Sequence, residues 1–433
     1  MKLSLKVTYS IIIFFFLKTF SYSQEQPLDV KYKRSSLYTL MVSDDGREHS
    51  EVIQTSFKAS PIPNKFNDHI IELRTIPEID TTYVNEEPVE PVETEEKKGF
   101  FSKIPKIGGG KNKELKEEKQ NAIYQFLNRN DIAKSMVAKW FNRSEKGGFN
   151  MDLISERGSY NATDLDIKIA NNTERGSALL TDAGEELINN TFVIVNDFKY
   201  TNKEEVASKA KGLLSVVSTY SGNSSLSLAA DATSLGVGVM GKGYIIKTTA
   251  YLYKLVWNEE VAATFYNDFW TEDENLDLEK KKAFDETDIF KLELVGTETS
   301  WADIQSTVLT KKTNEELIAT ATVRAVDNVI AKLQRKYEVF RTKTPLLSGD
   351  PLSAKIGLKE GLEKGDKYEV LEQIINDEGL TEYKRIGVIK VDKDHIWDNR
   401  YLAEEENTST FEYTTFSGSK NKYFSGMLIR QIN

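Results

Sequence analysis

The chain contains no cysteine in 433 residues. That single absence removes disulfides, thiolate nucleophiles, zinc–thiolate sites, iron–sulfur clusters and a lipoprotein-type acyl anchor together. Histidine is nearly as scarce, with only His49, His69 and His395. None of the three neighbours another, no H-E-x-x-H is present, and the G-x-S-x-G elbow of many serine hydrolases is missing. Basic residues are outnumbered, 57 against 67 acids, for a net charge of −10. A nucleic-acid binder needs a basic footprint to displace counterions, so nucleic acid is not an expected partner. No apolar run approaches the roughly 20 residues of a membrane-spanning helix.

The longest apolar run is short and sits at the start. Lys2 and Lys6 precede Val7 to Leu17, which includes Ile11, Ile12, Ile13, Phe14, Phe15 and Phe16. Lys18 ends the run, and Ser21 and Ser23 place small residues ahead of Gln24. A basic start, a short apolar core and small residues before a cleavage point predict a secretory signal over residues 1–23. The chain is therefore expected to be exported, to the periplasm, the outer-membrane periphery or the medium. Without cysteine, an exported protein must draw its stability from packing. That points to a bacterial envelope more than to a disulfide-rich extracellular module.

The remaining chain is long enough for two or three domains. Tyr32 to Val42 and Ile70 to Ile76 read as strands within an N-terminal part (24–77), with Pro61 and Pro63 marking an irregular connection between them. Residues 78–112 read as an acidic, solvated linker. Glutamates surround Pro88 and Pro91, apolar content is low, and the stretch runs through Gly108, Gly109 and Gly110. A basic-aromatic knot from Lys97 to Lys103 interrupts it, either a plain loop or a contact for a partner or anionic lipid. A central domain is expected over 113–345. Its signals are a helix placing Ile132, Met136 and Trp140 on one face, a helical segment at Asp182 to Ile188, and a buried strand Thr191 to Val195. Strand-like runs follow at Gly243 to Trp257, apolar on both faces and hence central, and at Ile289 to Val295. Thr313 and Glu316 form a capping-box pair ahead of a helical face of Leu317, Ala321, Ala325, Ile330, Leu333 and Tyr337. The fold class expected is α+β, or layered α/β: a mixed-sheet central domain with packed helices. Residues 346–433 add a small all-β barrel or sandwich, with strands at Asp366 to Gln373, Tyr383 to Val391, Phe411 to Phe416 and Tyr423 to Arg430. Turns are expected at Asn376 to Gly379 and at Ser417 to Ser419.

Within that last region, Gly361-Leu-x-x-Gly365-Asp366-x-Tyr368-x-Val370 lies in the stretch Ile356 to Val370. This pattern resembles the C-terminal barrels of periplasmic flagellar-assembly proteins. The resemblance covers fifteen residues, implies an envelope scaffold role and brings no catalytic residue with it.

Motifs that carry chemistry are few. Gly236, Gly238 and Gly241 satisfy G-x-G-x-x-G, and Gly241-Lys242 nearly completes a phosphate loop. Gly243 replaces the Ser or Thr needed for magnesium, and a strand-like run follows where a helix is required, so no nucleotide is expected. Asp392, Asp394, His395 and Asp398 are the candidate ligands for a divalent cation, set against a plain polar turn with Trp397 packed inward. Acidic runs at Glu272 to Glu274 and Asp285 to Asp288 read as solvated faces, and Phe265, Tyr266, Phe269 and Trp270 as core more than as a sugar platform.

The least ordinary stretch is Gly212 to Gly241, where Asp231 is the sole charge. Leu226, Leu228, Ala230 and Ala232 alternate with Ser227, Ala229, Asp231 and Thr233. Such alternation suits a membrane hairpin if several copies close a barrel, set against the plainer reading of a small-residue segment packed on the sheet or a loop. The expected function is non-enzymatic: an envelope protein that binds other envelope proteins or itself, in its sharper form an oligomer contacting the outer membrane through 212–241. No catalytic residue and no cofactor is predicted. The alternative is a secreted hydrolase acting on glycan or peptide through carboxylates that the sequence does not single out.

Overall fold

A computed structural model describes residues 32–46, 48–77, 109–160, 186–202, 243–305, 312–375, 381–392, 394–405, 411–419 and 422–432. The elements in chain order begin with β1 (Ser36–Val42), α1 (Ser50–Ala59), β2 (Asn67–Asp68) and β3 (Thr75–Ile76). Then come α2 (Gly109–Arg129), α3 (Ile132–Trp140), α4 (Asp152–Tyr160), β4 (Thr191–Asn202) and β5 (Gly243–Leu255). They are followed by α5 (Glu259–Thr264) with a π turn (Phe265–Phe269), α6 (Leu278–Glu286), β6 (Leu292–Gln305) and α7 (Asn314–Lys336). The last part holds β7 (Thr344–Pro345), β8 (Ser348–Gly349), β9 (Leu352–Ala354), β10 (Lys367–Ile375), β11 (Thr381–Val391), β12 (Thr414–Ser417) and β13 (Leu428–Ile432).

The central sheet runs β2-β1-β4-β5-β6, with β3 also paired to β1. Strand β1 is parallel to β2, β3 and β4, while β4, β5 and β6 alternate in direction. The N-terminal strand thus joins the main sheet across residues 78–108. Alternation at period two divides the apolar residues between two faces. Leu37, Met41, Phe192, Ile194, Leu252 and Ile304 pack with α1 and α7 on one side. Tyr38, Leu40, Val193, Val195, Tyr251 and Tyr253 pack with α3 and the π turn on the other. Burial on both faces is why β4 and β5 read as near-continuous apolar runs, and β5 is central as expected.

Several boundaries differ from the sequence reading. The strand expected over Ile70 to Ile76 is reduced to Thr75–Ile76, because β1 offers partners only for Met41↔Thr75 and Val42↔Ile76 on that side. The connection ahead of Pro61 contains helix α1, which turns Ile53 and Phe57 toward the core. Helix α2 begins at Gly109, inside the stretch 78–112 read as linker, so helix replaces the end of that stretch. Strand β6 continues to Gln305, well past Val295, held in register by β5. The predicted capping box is present: the Glu316 amide donates to Thr313 Oγ1 (3.2 Å), and the Thr313 amide donates to Glu316 Oε2 (2.8 Å).

Strand β6 is the sheet's long edge, and α7 crosses it with polar side chains. Asn328 Nδ2 donates to the Trp301 carbonyl (3.1 Å) and Lys332 Nζ to the Thr299 carbonyl (3.0 Å). Tyr337 Oη accepts from the Thr297 amide (3.2 Å). A Cβ on Gly296 would fall 2.1 Å from that phenol oxygen, so the close crossing needs glycine there.

The C-terminal region forms an antiparallel half-barrel, in the order β7-β13-β10-β11-β12-β9-β8, around Tyr368, Val370, Ile389, Val391, Phe416 and Ile429. The expected small β domain is thus present, though Tyr423 to Met427 lies outside any strand and only Leu428–Ile432 is strand. The predicted turn at Asn376 to Gly379 lies outside the described residues, as do the signal, most of the linker, the glycine-rich motif up to Lys242 and the stretch 212–241. Among the described residues no helix is long and apolar enough to cross a membrane.

Candidate functional site

Polar chemistry concentrates in two places, the seam between α7 and the half-barrel and one end of the central sheet. Helix α7 carries its apolar stripe toward β5 and β6 and a second, mostly polar stripe beside it. Thr320, Arg324, Asp327, Ala331 and Gln334 recur at spacings of three and four, and all are buried. This second stripe meets the half-barrel. Arg335 grips Asp366 with both terminal nitrogens (3.0 and 2.9 Å) and donates to the Gly361 carbonyl (2.7 Å). Arg324 donates twice to the Tyr401 carbonyl (2.9 and 2.7 Å). Gly361 has φ +69° in close contact with Ala331, a left-handed position that glycine fills without strain.

Asp327 lies in the middle of the stripe and is only 8 % exposed. Its Oδ1 pairs with Lys359 Nζ at 3.7 Å, while Oδ2 has no hydrogen-bond partner. Burial pushes the carboxyl up to about 6; Lys359 opposes that shift and Glu360 adds to it. Glu360 itself accepts from the Gly357 amide (2.7 Å) and from Asn399 Nδ2 (2.8 Å). Lys65 donates to Gln334 Oε1 (3.1 Å), and burial holds its ammonium below the ordinary lysine range.

At the second place, β4 and β5 extend beyond β1. Pairing between β1 and β4 stops at Asn196, but β4 continues to Asn202, about 20 Å further at roughly 3.3 Å per residue. Strands β5 and β6 accompany it, with Asn202 opposite Tyr244 and Gly243 opposite Gln305. His49, in a left-handed conformation ahead of α1, packs edge-on against Tyr200 and Tyr244. The Tyr200 hydroxyl donates to the Glu48 carbonyl, which ties the arm to the β1–α1 connection.

The residues singled out from sequence are engaged structurally. Arg400 clasps Asp398 through Nε (2.8 Å) and Nη2 (2.6 Å), and those bonds hold its carboxyl below the usual range. Asp392 accepts from the Asp394 amide at 3.4 Å, Asp394 is exposed, and the His395 ring stands edge-on to Phe411. The structure does not assemble these four into a ligand set. Among the described residues, no group of three or more His, Asp or Glu is placed to hold a metal ion.

The acidic runs serve as ties. Asp273 accepts from Ser144 Oγ (2.7 Å) and the Gly148 amide (3.0 Å), pinning that turn. Asp285 sits between Arg143 (2.7 Å) and Lys281 (3.0 Å); their bonds outweigh its desolvation and hold its carboxyl below the usual range. Phe265 and Phe269 are core, with Tyr266 and Trp270 half-buried beside them. His69 is buried, stacked on Trp140 with ring centroids 4.7 Å apart. Its Nδ1 faces Arg157 Nη1 (3.0 Å), a donor, so Nε2 carries the hydrogen given to the Met136 carbonyl (2.9 Å). Burial, together with Arg157 and Lys139, holds the imidazole well below its ordinary range.

No protein-family model matches the chain, and no curated protein is detectably similar to it.

Proposed function

We propose that the chain is an exported cell-envelope protein that works by binding other envelope proteins or further copies of itself. The observation that carries this reading is the arm of β4, β5 and β6. It reaches past β1 and delivers both ends of the forty residues between Asn202 and Gly243 to neighbouring positions. A segment with Asp231 as the sole charge from Gly212 to Gly241 thus leaves from, and returns to, the tip of a paired β arm. Closely spaced, hydrogen-bonded ends are what a hairpin extension requires, and the alternation from Leu226 to Thr233 fits such an extension at a partner or membrane surface. The basic, apolar and small-residue pattern of residues 1–23 supports export. The likeness of 356–370 to periplasmic barrel domains belongs to the same proposal.

The test is fractionation of cells carrying the full chain, followed by an alkaline carbonate wash of the membranes. The mature protein should begin at Gln24 and stay with the washed outer-membrane fraction, and deletion of 212–241 should release it. Full-length protein that is soluble and monomeric, indistinguishable from the deletion variant, would refute the proposal.

A further inference from the structure

The seam between α7 and the half-barrel is polar along most of its length. Most of its cross-contacts are pairs of complementary groups, such as Arg335 with Asp366 and Arg324 with the Tyr401 carbonyl. Asp327 differs. Its carboxylate is enclosed between α7 and the turn at Leu358–Glu360, one oxygen has no partner, and its lysine stands at 3.7 Å. That is well beyond the 2.7–2.9 Å of a strong charge-assisted bond. An anion so placed is poorly compensated, whereas the neutral acid gives up little in the same position.

We propose that the half-barrel docks on α7 through a proton-linked latch at Asp327, so that its grip tightens as the surroundings acidify and slackens toward neutral pH. When the turn at Leu358–Glu360 lifts away, the carboxyl regains water and its ordinary value near 3.8; docked, it is pushed up to about 6. The docked form therefore binds the proton more tightly. Its contribution is complete below about 3.8 and is lost as pH rises through about 6. The charged groups facing Asp327 from the packed elements are Lys359 and Glu360 on that turn and Lys65 on the segment after α1. The two lysines favour the anion, while Glu360 and burial favour the acid. Between pH 7 and pH 4 the docking equilibrium shifts by about fiftyfold, because the free carboxyl is itself partly protonated at pH 4 and the full separation is reached only below that.

The absence of cysteine makes the test direct. Ala331 contacts Gly361 across the seam, so an Ala331→Cys substitution in the full chain adds a single thiol that docking covers. Its rate of reaction with a dithiodipyridine is read at each pH relative to the same chain unfolded in denaturant, which cancels the thiol's own titration. Protection should rise about fiftyfold from pH 7 to pH 4. Adding Asp327→Asn should give high protection at both pH values with the slope removed. Glu360→Gln, which removes a like charge and keeps an acceptor for Gly357, should move the midpoint to lower pH. A flat profile in the Ala331→Cys chain, the same slope with Asp327→Asn, or an unmoved midpoint with Glu360→Gln would each overturn the latch.

Discussion

Phe265 offers the sharpest test of how the central domain is held. Its ring has no exposure and stacks on Phe141 with centroids 4.2 Å apart. Phe149 (5.1 Å), Tyr266 (5.3 Å), Trp257 (5.7 Å) and Trp270 (6.0 Å) close around it at steeper angles. The π turn makes this convergence possible, since the Trp270 amide bonds back to the Phe265 carbonyl (2.9 Å) and brings Phe265, Phe269 and Trp270 over one patch of core. Phe265→Ala removes the ring and leaves a cavity whose walls are fixed by α3, α6 and the sheet, so little collapse is available. The expected loss is about 4 kcal/mol, in the middle of the Phe→Ala range. Aromatic contacts of about 0.5–1.5 kcal/mol each add to the burial term. Phe265→Leu, which refills most of the volume, should cost about half as much. Urea titration followed by tryptophan fluorescence, to which Trp140, Trp257 and Trp270 of this core contribute, reads the change. A loss under about 1 kcal/mol for Phe265→Ala would refute a close-packed cluster and reopen the reading of these rings as a binding platform.

Two further outcomes follow from the same geometry. His69 is held neutral, with its folded value depressed below the ordinary 6.5. The unfolded chain therefore binds its proton first. Stability is complete above about pH 6.5 and is lost at about 1.4 kcal/mol per unit as pH falls toward the folded value. His69→Gln keeps both a donor and an acceptor, and should remove that slope in urea titrations between pH 6.5 and 4.5; an unchanged slope would contradict the assignment. Thr313→Ala deletes the acceptor that caps α7 and should cost about 1 kcal/mol, whereas Thr313→Ser should cost little. Equal midpoints for the two variants would show that the cap contributes nothing.

Much of this architecture is legible from the chain because its signals are local. The Thr313–Glu316 capping box, the β-branched run of β4 and the two-faced apolar run of β5 each report a physical constraint acting within a few residues. Helix α1 is hidden because only Ile53 and Phe57 are buried, and its N-cap residue, His49, makes no side-chain capping bond. The second half of β6, Gly296 to Gln305, is polar and glycine-broken. Its strand character comes from β5 alongside it, a partner far away in sequence. The parallel pairing of β1 with β4 spans about 150 residues, and no local pattern announces it. Asp327 left a trace that is easily passed over. Arg324, Asp327 and Gln334 repeat at helical spacing beside the apolar face, a pattern that betrays a helix buried on more than one side. The cation ligands suggested by Asp392 to Asp398 fail for a local reason, because Arg400 sits two residues from Asp398 and claims it first.

The way α7 crosses β6 bears on how copies of this protein can meet. An open strand edge recruits further strands, and a fourteen-residue edge would ordinarily be a template for fibrous growth. Here Asn328, Lys332 and Tyr337 already occupy main-chain positions at Trp301, Thr299 and Thr297. At the far side of the same sheet, and at both ends of the half-barrel, the outermost strands are two residues long. Neither sheet offers a growing end over these stretches. Strand addition is therefore blocked along the longest edge and poorly templated at the two-residue ones, so contact between copies would have to use surfaces other than these edges.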